Sequence, residues 1–282
     1  MNEHDPIVVR ADAEGNPTIT LADAGTWERR VHVEQVWGTV VTFDLRGERF
    51  PDNYDQIMAN AVAYLHQVDA WFSTYRADTP ISLIRNGIMP AYRAPTVVQE
   101  VLETCAFLKE LTRGVFDPWA VKGGVDPSGY VKGWAAGQVA DQLVEAGIAN
   151  VCVNAAGDIA CRGQQSPDEL WAIGITNPYD TQQVIEVVHI SDGAIATSGL
   201  YERGEHIVNP RNRSTDVAFD SATIVGPDAG IADALATACL IEGPDSAAWF
   251  AELPEWSVYF VKDGQAMFFG PDFAHLTNKS GT

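Results

Sequence analysis

Residues 150–199, NVCVNAAGDIACRGQQSPDELWAIGITNPYDTQQVIEVVHISDGAIATSG, decide the fold class. Five short runs within them, NVCVNA, DIACRG, WAIGIT, VIEVVHI and AIATSG, are separated by Asp, Gly, Asn and Pro turns. That is the pattern of consecutive strands joined by tight connections. A sheet of this kind has an apolar face, and helices elsewhere in the chain must cover it.

The helices are found on either side. Between residues 53 and 72 the apolar positions Ile57, Ala61, Tyr64, Leu65, Val68 and Trp71 recur at three and four, the spacing of one helix face. A second helix is expected from Thr96, read as its N-cap, along the stripe Val97, Val101, Leu102, Cys105, Leu108 and Leu111 to Gly114 as a left-handed stop. The segment between them, FSTYRADTPISLIRNG, reads as loop plus one short turn of helix. A third helix is expected from about residue 131 to 146, closed by Gly147, and a fourth from about 229 to 241, capped by Asp228 and ended by Gly243 and Pro244. Residues 31–47 alternate as a strand, and the runs WSVYFV and AMFFG around KDGQ form a hairpin.

Strands clustered in one region and helices in others argue for an α+β fold rather than a doubly wound α/β sheet. No fixed-period repeat is present, and no GxGxxG follows a strand. The expected division is an N-terminal extension over 1–30 that partly pairs as strands, one domain over 31–275, and a polar tail over 276–282.

Composition narrows the partners. With 46% hydrophobic and 20% charged residues in 282, the chain can bury a large core. A formal charge of -20 repels nucleic acid. A diphosphate ligand on such a chain needs a divalent cation, helix N-termini and a few placed lysines. Cys105, Cys152, Cys161 and Cys239 have no CxxC pair or zinc-like histidine spacing and read as buried, reduced thiols. No run reaches the roughly 18 apolar residues of a spanning helix, and the start MNEHDPIVVR lacks a leader pattern. The expectation is a soluble, cytoplasmic protein without a membrane span.

Three segments carry the chemistry. In DPSGYVKGWAAG, residues 126–137, Asp126 offers a carboxylate, Gly129 permits close backbone approach, and Lys132 brings a positive charge to a helix start. A plain connector with a solvent-reaching lysine fits the same letters, and the segment alone does not choose. In ADALATA, residues 232–238, Asp233 and Thr237 share a helix face and offer hard oxygens suited to Mg²⁺. An ordinary helix with its threonine bonded to its own backbone also fits. In SGLYERGEHIVNPRNR, residues 198–213, Tyr201, Arg203 and His206 lie in a polar turn between strands. His206 there suits a general base, or mere surface packing.

Taken together, these segments resemble the signature of the ApbE family in order and separation. Its DxxGxxKG stands here as DPSGYVKG, its NxGGD as Asn154-Ala155-Ala156-Gly157-Asp158, its SGxYxR and HIxxP as SGLYER and HIVNP, and its AD-L-A-T-A as ADALATA. Fainter echoes are Trp37-Gly38-Thr39 and the FDP of Phe116 to Pro118, so the resemblance runs from about residue 30 to about residue 270. It implies a T-fold-like α+β architecture of mixed or antiparallel sheets with covering helices. It also implies a reaction: FAD binds with Mg²⁺, AMP leaves, and FMN is joined to a threonine of an acceptor protein.

Position by position, the resemblance implies that metal is held by the Gly129 carbonyl and the side chains of Asp233 and Thr237. Flavin and adenine contacts fall on Trp37, Tyr75, Trp119, Ala120, Val121, Asp126, Lys132 and Ile207. His206 becomes the base that takes the threonine proton, with Asp126, Asp158 or the metal as substitutes. Such phosphoryl-type transfer asks the protein to position the nucleophile and neutralise charge. The same residues would serve an FAD pyrophosphatase if water replaced the threonine, and Trp37 and Trp119 would serve a flavin-binding protein without chemistry. Two departures stand out. Gly230 occupies a position that is acidic in some family members, with Asp228 two residues earlier, and Trp37 and Ala156 replace a methionine and a glycine of the family pattern.

Overall fold

The computed structural model describes residues 19–22, 27–121, 123–199 and 208–270. In chain order the elements are β1 (Ile19–Ala22), β2 (Glu28–Val36), β3 (Thr39–Gly47), α1 (Tyr54–Phe72), α2 (Pro80–Arg85), α3 (Thr96–Leu111) and α4 (Ser128–Glu145). Then follow β4 (Asn150–Ala155), β5 (Asp158–Arg162), β6 (Trp171–Asn177), β7 (Asp180–Ile190), β8 (Gly193–Gly199), β9 (Ser221–Gly226), α5 (Ala229–Glu242), β10 (Ser257–Lys262) and β11 (Gln265–Phe269). Short 3₁₀ turns lie at Ala91–Arg93 and Gly243–Ala251.

Nine strands make one sheet in the order β1-β2-β3-β4-β5-β8-β9-β10-β11, and each described pairing is antiparallel. Alternation sorts its two faces. Val41, Phe43 and Leu45 of β3, Val151 and Val153 of β4, Ala194 and Ala196 of β8, and Val258 and Phe260 of β10 bury with the helices. Cys161, Ile195, Val225, Tyr259 and Val261 point the other way and bury beneath Trp171, Ile175, Val188 and Ile190. Those last four come from β6 and β7, which form a separate two-stranded hairpin. Of the five strands expected between residues 150 and 199, two therefore leave the main sheet and cover its second face. β5 pairs directly with β8 across that excursion.

The helices follow the sequence periodicity with two adjustments. Ile57, Ala61, Leu65, Val68 and Phe72 bury along α1, and Val98, Val101, Leu102, Cys105 and Leu108 along α3. Thr96 is the first helical residue rather than the cap. Pro95, with its ring-fixed φ of -51° and extended ψ of 145°, holds the cap position without a side-chain bond. α4 begins at Ser128, about one turn before the expected start, because the Asp126 side chain already accepts from the Ser128 amide at 3.1 Å. Asp228 caps α5 as expected, accepting from the Ile231 amide at 2.8 Å. Among the described residues no helix is long and apolar enough to cross a membrane.

The contact that positions the site is between α4 and α5. A Cβ at Gly133 would sit 2.1 Å from the Ala229 carbonyl oxygen, and one at Gly230 would sit 2.7 Å from the Tyr130 ring. Only glycines let these two backbones approach so closely. The first two turns of α4 are thereby placed against the first turn of α5.

Candidate functional site

Lys132 on α4 and Asp233 on α5 are 101 residues apart in sequence and meet because of that glycine contact. The Lys132 Nζ donates to Asp233 Oδ2 at 3.0 Å. Asp158 joins them from the sheet, its Oδ2 2.9 Å from the same ammonium. Asp158 opens β5 on the helix-facing side, two residues before Ala160, which buries in the helical core. The hairpin before it is held by Asn154, whose Oδ1 accepts from the Gly157 amide at 2.8 Å. Ala156 and Gly157 both take positive φ, 57° and 103°, as a two-residue hairpin requires. The NAAGD letters thus encode a tight turn that delivers one carboxylate to Lys132.

The side chains of Asp158 and Asp233 are only 6% and 4% exposed, and that of Lys132 is 15% exposed. Buried carboxylates persist where a cation and hydrogen bonds hold them. Thr237, one turn beyond Asp233, is bonded to Ser198 of β8, with the two hydroxyl oxygens 2.9 Å apart. Its partner is therefore across the helix–sheet interface rather than its own backbone. Ser198 was not among the residues singled out by the sequence, and Asp158 entered only as part of a motif and a substitute base. A polar residue on the helix-facing side of a strand is the signal for both.

Beside this centre opens a cleft of about 1460 Å³, lined by Trp37, Phe72, Tyr75, Asp126, Lys132 and Ala156 among others. Trp37 sits at the β2–β3 turn with φ of 58°, and its indole nitrogen is buried without a hydrogen-bond partner among the described residues. Tyr75 is 98% exposed. Asp126 lies 3.7 Å from Arg85, which also donates to the Val125 carbonyl at 3.4 Å and braces the loop before α4.

Four of the residues expected to contact flavin or adenine, Trp37, Tyr75, Asp126 and Lys132, thus share one cleft. Trp119, Ala120 and Val121 stand outside its lining, on the loop after α3, where the Lys109 ammonium lies 5.7 Å from the Trp119 ring. Gly129 is in the first turn of α4. His206 and Ile207, with Tyr201 and Arg203, lie outside the described residues.

The donor set near Lys132 is a test of the Mg²⁺ expectation. Among the described residues no cluster of three or more His, Cys, Asp or Glu that could hold a metal ion is present. What does converge is two buried carboxylates on one ammonium, with the Thr237 hydroxyl one helix turn beyond Asp233. These are hard oxygens, which fit Mg²⁺ completed by water and phosphate. Gly230 cannot add an acid, since its Cβ would collide with Tyr130 and Trp134, and Asp228 is engaged as the α5 cap.

An antiparallel sheet with helices on one face, a hairpin on the other and a lysine-bridged carboxylate pair beside an open cleft is the architecture to be matched. It is similar to the flavinyl transferase ApbE of Pseudomonas stutzeri, with a TM-score of 0.77 and 20% identity over 93% of this chain and 100% of that one, which speaks for the fold. The model of the ApbE family matches residues 120–260, and the chain belongs to that family. The FAD:protein FMN transferases of Vibrio cholerae and Escherichia coli K12 are 31% identical over 168 residues and 29% over 153, or 55% and 50% of this chain. The chain spans about half the length of these curated relatives, 50% and 44% respectively.

Proposed function

We propose that this protein transfers FMN from FAD to a threonine hydroxyl of an acceptor protein, with Mg²⁺ bound and AMP released. The observation that carries the reading is the convergence of Asp158 and Asp233 on Lys132, which itself lines the cleft beside Trp37, Phe72 and Tyr75. The names of its relatives, FAD:protein FMN transferases, support the transfer of FMN from FAD to a protein.

On this reading Trp37 and Tyr75 hold the flavin ring, and Asp126 and Lys132 contact the remainder of FAD. Asp233, Thr237 and the Gly129 carbonyl would hold Mg²⁺, which when bound supplies charge neutralisation at the phosphate oxygens. The chain's own work is positioning: the diphosphate is set so that the threonine oxygen attacks in line as the bond to AMP breaks. The Lys132 ammonium offsets charge growing on the phosphate oxygens. His206 accepts the threonine proton as general base.

The test is incubation with FAD, Mg²⁺ and a threonine-bearing acceptor, with mass spectrometry of the acceptor and chromatography of the nucleotides. Acceptor modified by FMN, with stoichiometric AMP, is expected. Free FMN plus AMP over an unmodified acceptor would replace the reading with hydrolysis, and bound, intact FAD would replace it with storage.

A further inference from the structure

Lys132 holds the carboxylate that a metal would need. Its ammonium lies 3.0 Å from Asp233 Oδ2 and 2.9 Å from Asp158 Oδ2. A magnesium-sized ion binds carboxylate oxygen at about 2.0–2.1 Å, so at Asp233 it would stand within a few ångströms of the ammonium. Repulsion between the two cations in this mostly buried setting is strong. The lysine, unlike the two carboxylates, has somewhere to go: it lines the cleft, and its four-carbon stem is flexible.

We propose that Lys132 is a tethered counter-cation. In the metal-free protein its ammonium neutralises Asp233 and Asp158; a divalent cation arriving at Asp233 displaces it into the cleft, where it is received by phosphate oxygens of the ligand. The inference rests on the proposed role of Asp233 as metal ligand. Its consequence is coupling. Cation alone binds weakly because it must break the ion pair, and a phosphate-bearing ligand strengthens it by giving the displaced ammonium a new partner. By linkage the cation strengthens the ligand by the same factor.

The first measurement is Mn²⁺ binding to the full chain without nucleotide, by paramagnetic resonance of free Mn²⁺, for the unmodified protein, Lys132→Met and Asp233→Asn. Lys132→Met should bind Mn²⁺ more tightly by about tenfold, within the usual range of such couplings, and Asp233→Asn should lose binding. A second measurement needs no variant and decides the matter if Lys132→Met does not fold. Acetylation of Lys132 by an N-hydroxysuccinimide ester, read on its peptide by mass spectrometry, should be slow in chelator, faster with Mn²⁺, and slow again with Mn²⁺ and FAD. Loss of binding in Asp233→Asn with no tightening in Lys132→Met, or labelling indifferent to Mn²⁺, overturns the counter-cation and leaves the metal reading standing. Binding unaffected by Asp233→Asn overturns both.

Discussion

Single residues at the centre carry opposite kinds of cost. Asp233 is buried and bonded to Lys132, so Asp233→Asn keeps the shape while removing the charge. On the proposed function, its Mg²⁺-dependent transfer of FMN should fall by about 10²-fold or more, the scale of losing one preorganised electrostatic partner, as measured under saturating FAD. Thr237→Val should cost less, since it removes one hydroxyl whose described partner is Ser198. Ala156 pays in backbone instead. At φ of 57° a Cβ is strained, and the left-handed conformation costs an L-residue roughly 1–2 kcal/mol. Ala156→Gly should therefore stabilise the protein by up to about 1 kcal/mol after the added freedom of the unfolded chain is deducted. An unchanged or lowered thermal midpoint would count against that strain. At this scale the sequence shows the residue types but not their meeting. Asp233 and Lys132 are readable as a hard ligand and a lone cation, while their ion pair depends on a helix crossing that no local pattern encodes.

Elements explain that crossing. Gly133 and Gly137 lie one turn apart on α4, yet a Cβ at Gly133 would meet the Ala229 carbonyl at 2.1 Å while one at Gly137 meets nothing within 4 Å. Gly133→Ala should thus destabilise by about 1–3 kcal/mol, the usual cost of overpacking, and push Lys132 away from Asp233. Gly137→Ala should instead stabilise by up to about 1 kcal/mol, as alanine replaces glycine inside a helix. Urea melts of the pair provide the comparison, and a shared sign would mean the helix contact is softer than its geometry. Periodicity located α1 and α3 to within a turn because each buries one stripe, whereas start and stop residues located α4 and α5. α5 is buried on nearly every side and has no stripe to read. The sequence pattern misplaced the start of α3, where proline and threonine both suit a helix start and only the backbone distinguishes them. It also could not separate β6 and β7 from the main sheet. Their alternation is that of any half-buried strand, and the choice of neighbour is made by the apolar face of β5, β8, β9 and β10 that Trp171 and Ile175 must cover.

The molecule as a whole is acidic outside and thiol-protecting within, and the two properties combine at high pH. Burial pushes the Cys105 and Cys239 thiols from 9.0 to about 12 and the Tyr64 phenol from 10.0 to about 12. Cys161, hydrogen-bonded to its cross-strand partner Cys152 and buried, is raised in the same direction. In the unfolded chain these groups ionise near their ordinary values, so between about pH 9 and 12 the unfolded state releases protons that the folded state retains. A raised folded pKa of this kind contributes stability that is fully present below pH 9 and is lost as pH climbs toward 12. For the buried thiols Cys105 and Cys239 each pH unit of separation is worth about 1.4 kcal/mol per group, and for the partly exposed Tyr64 solvent screening makes it less. A chain already at -20 gains further negative charge over the same window, which adds self-repulsion to the loss. Unfolding free energy from urea melts should be nearly level from pH 7 to 8.5 and fall steeply from 9 upward. At pH 8 a disulfide-exchange reagent should reach Cys152, the half-buried member of the four, before the other three, which should react only at the rate of global unfolding. Rapid labelling of Cys105 or Cys239 in the native protein would show that the helical layer opens on its own. The thiol protection would then be set by a local opening of that layer, more frequent than global unfolding, rather than by the core it shares with the sheet.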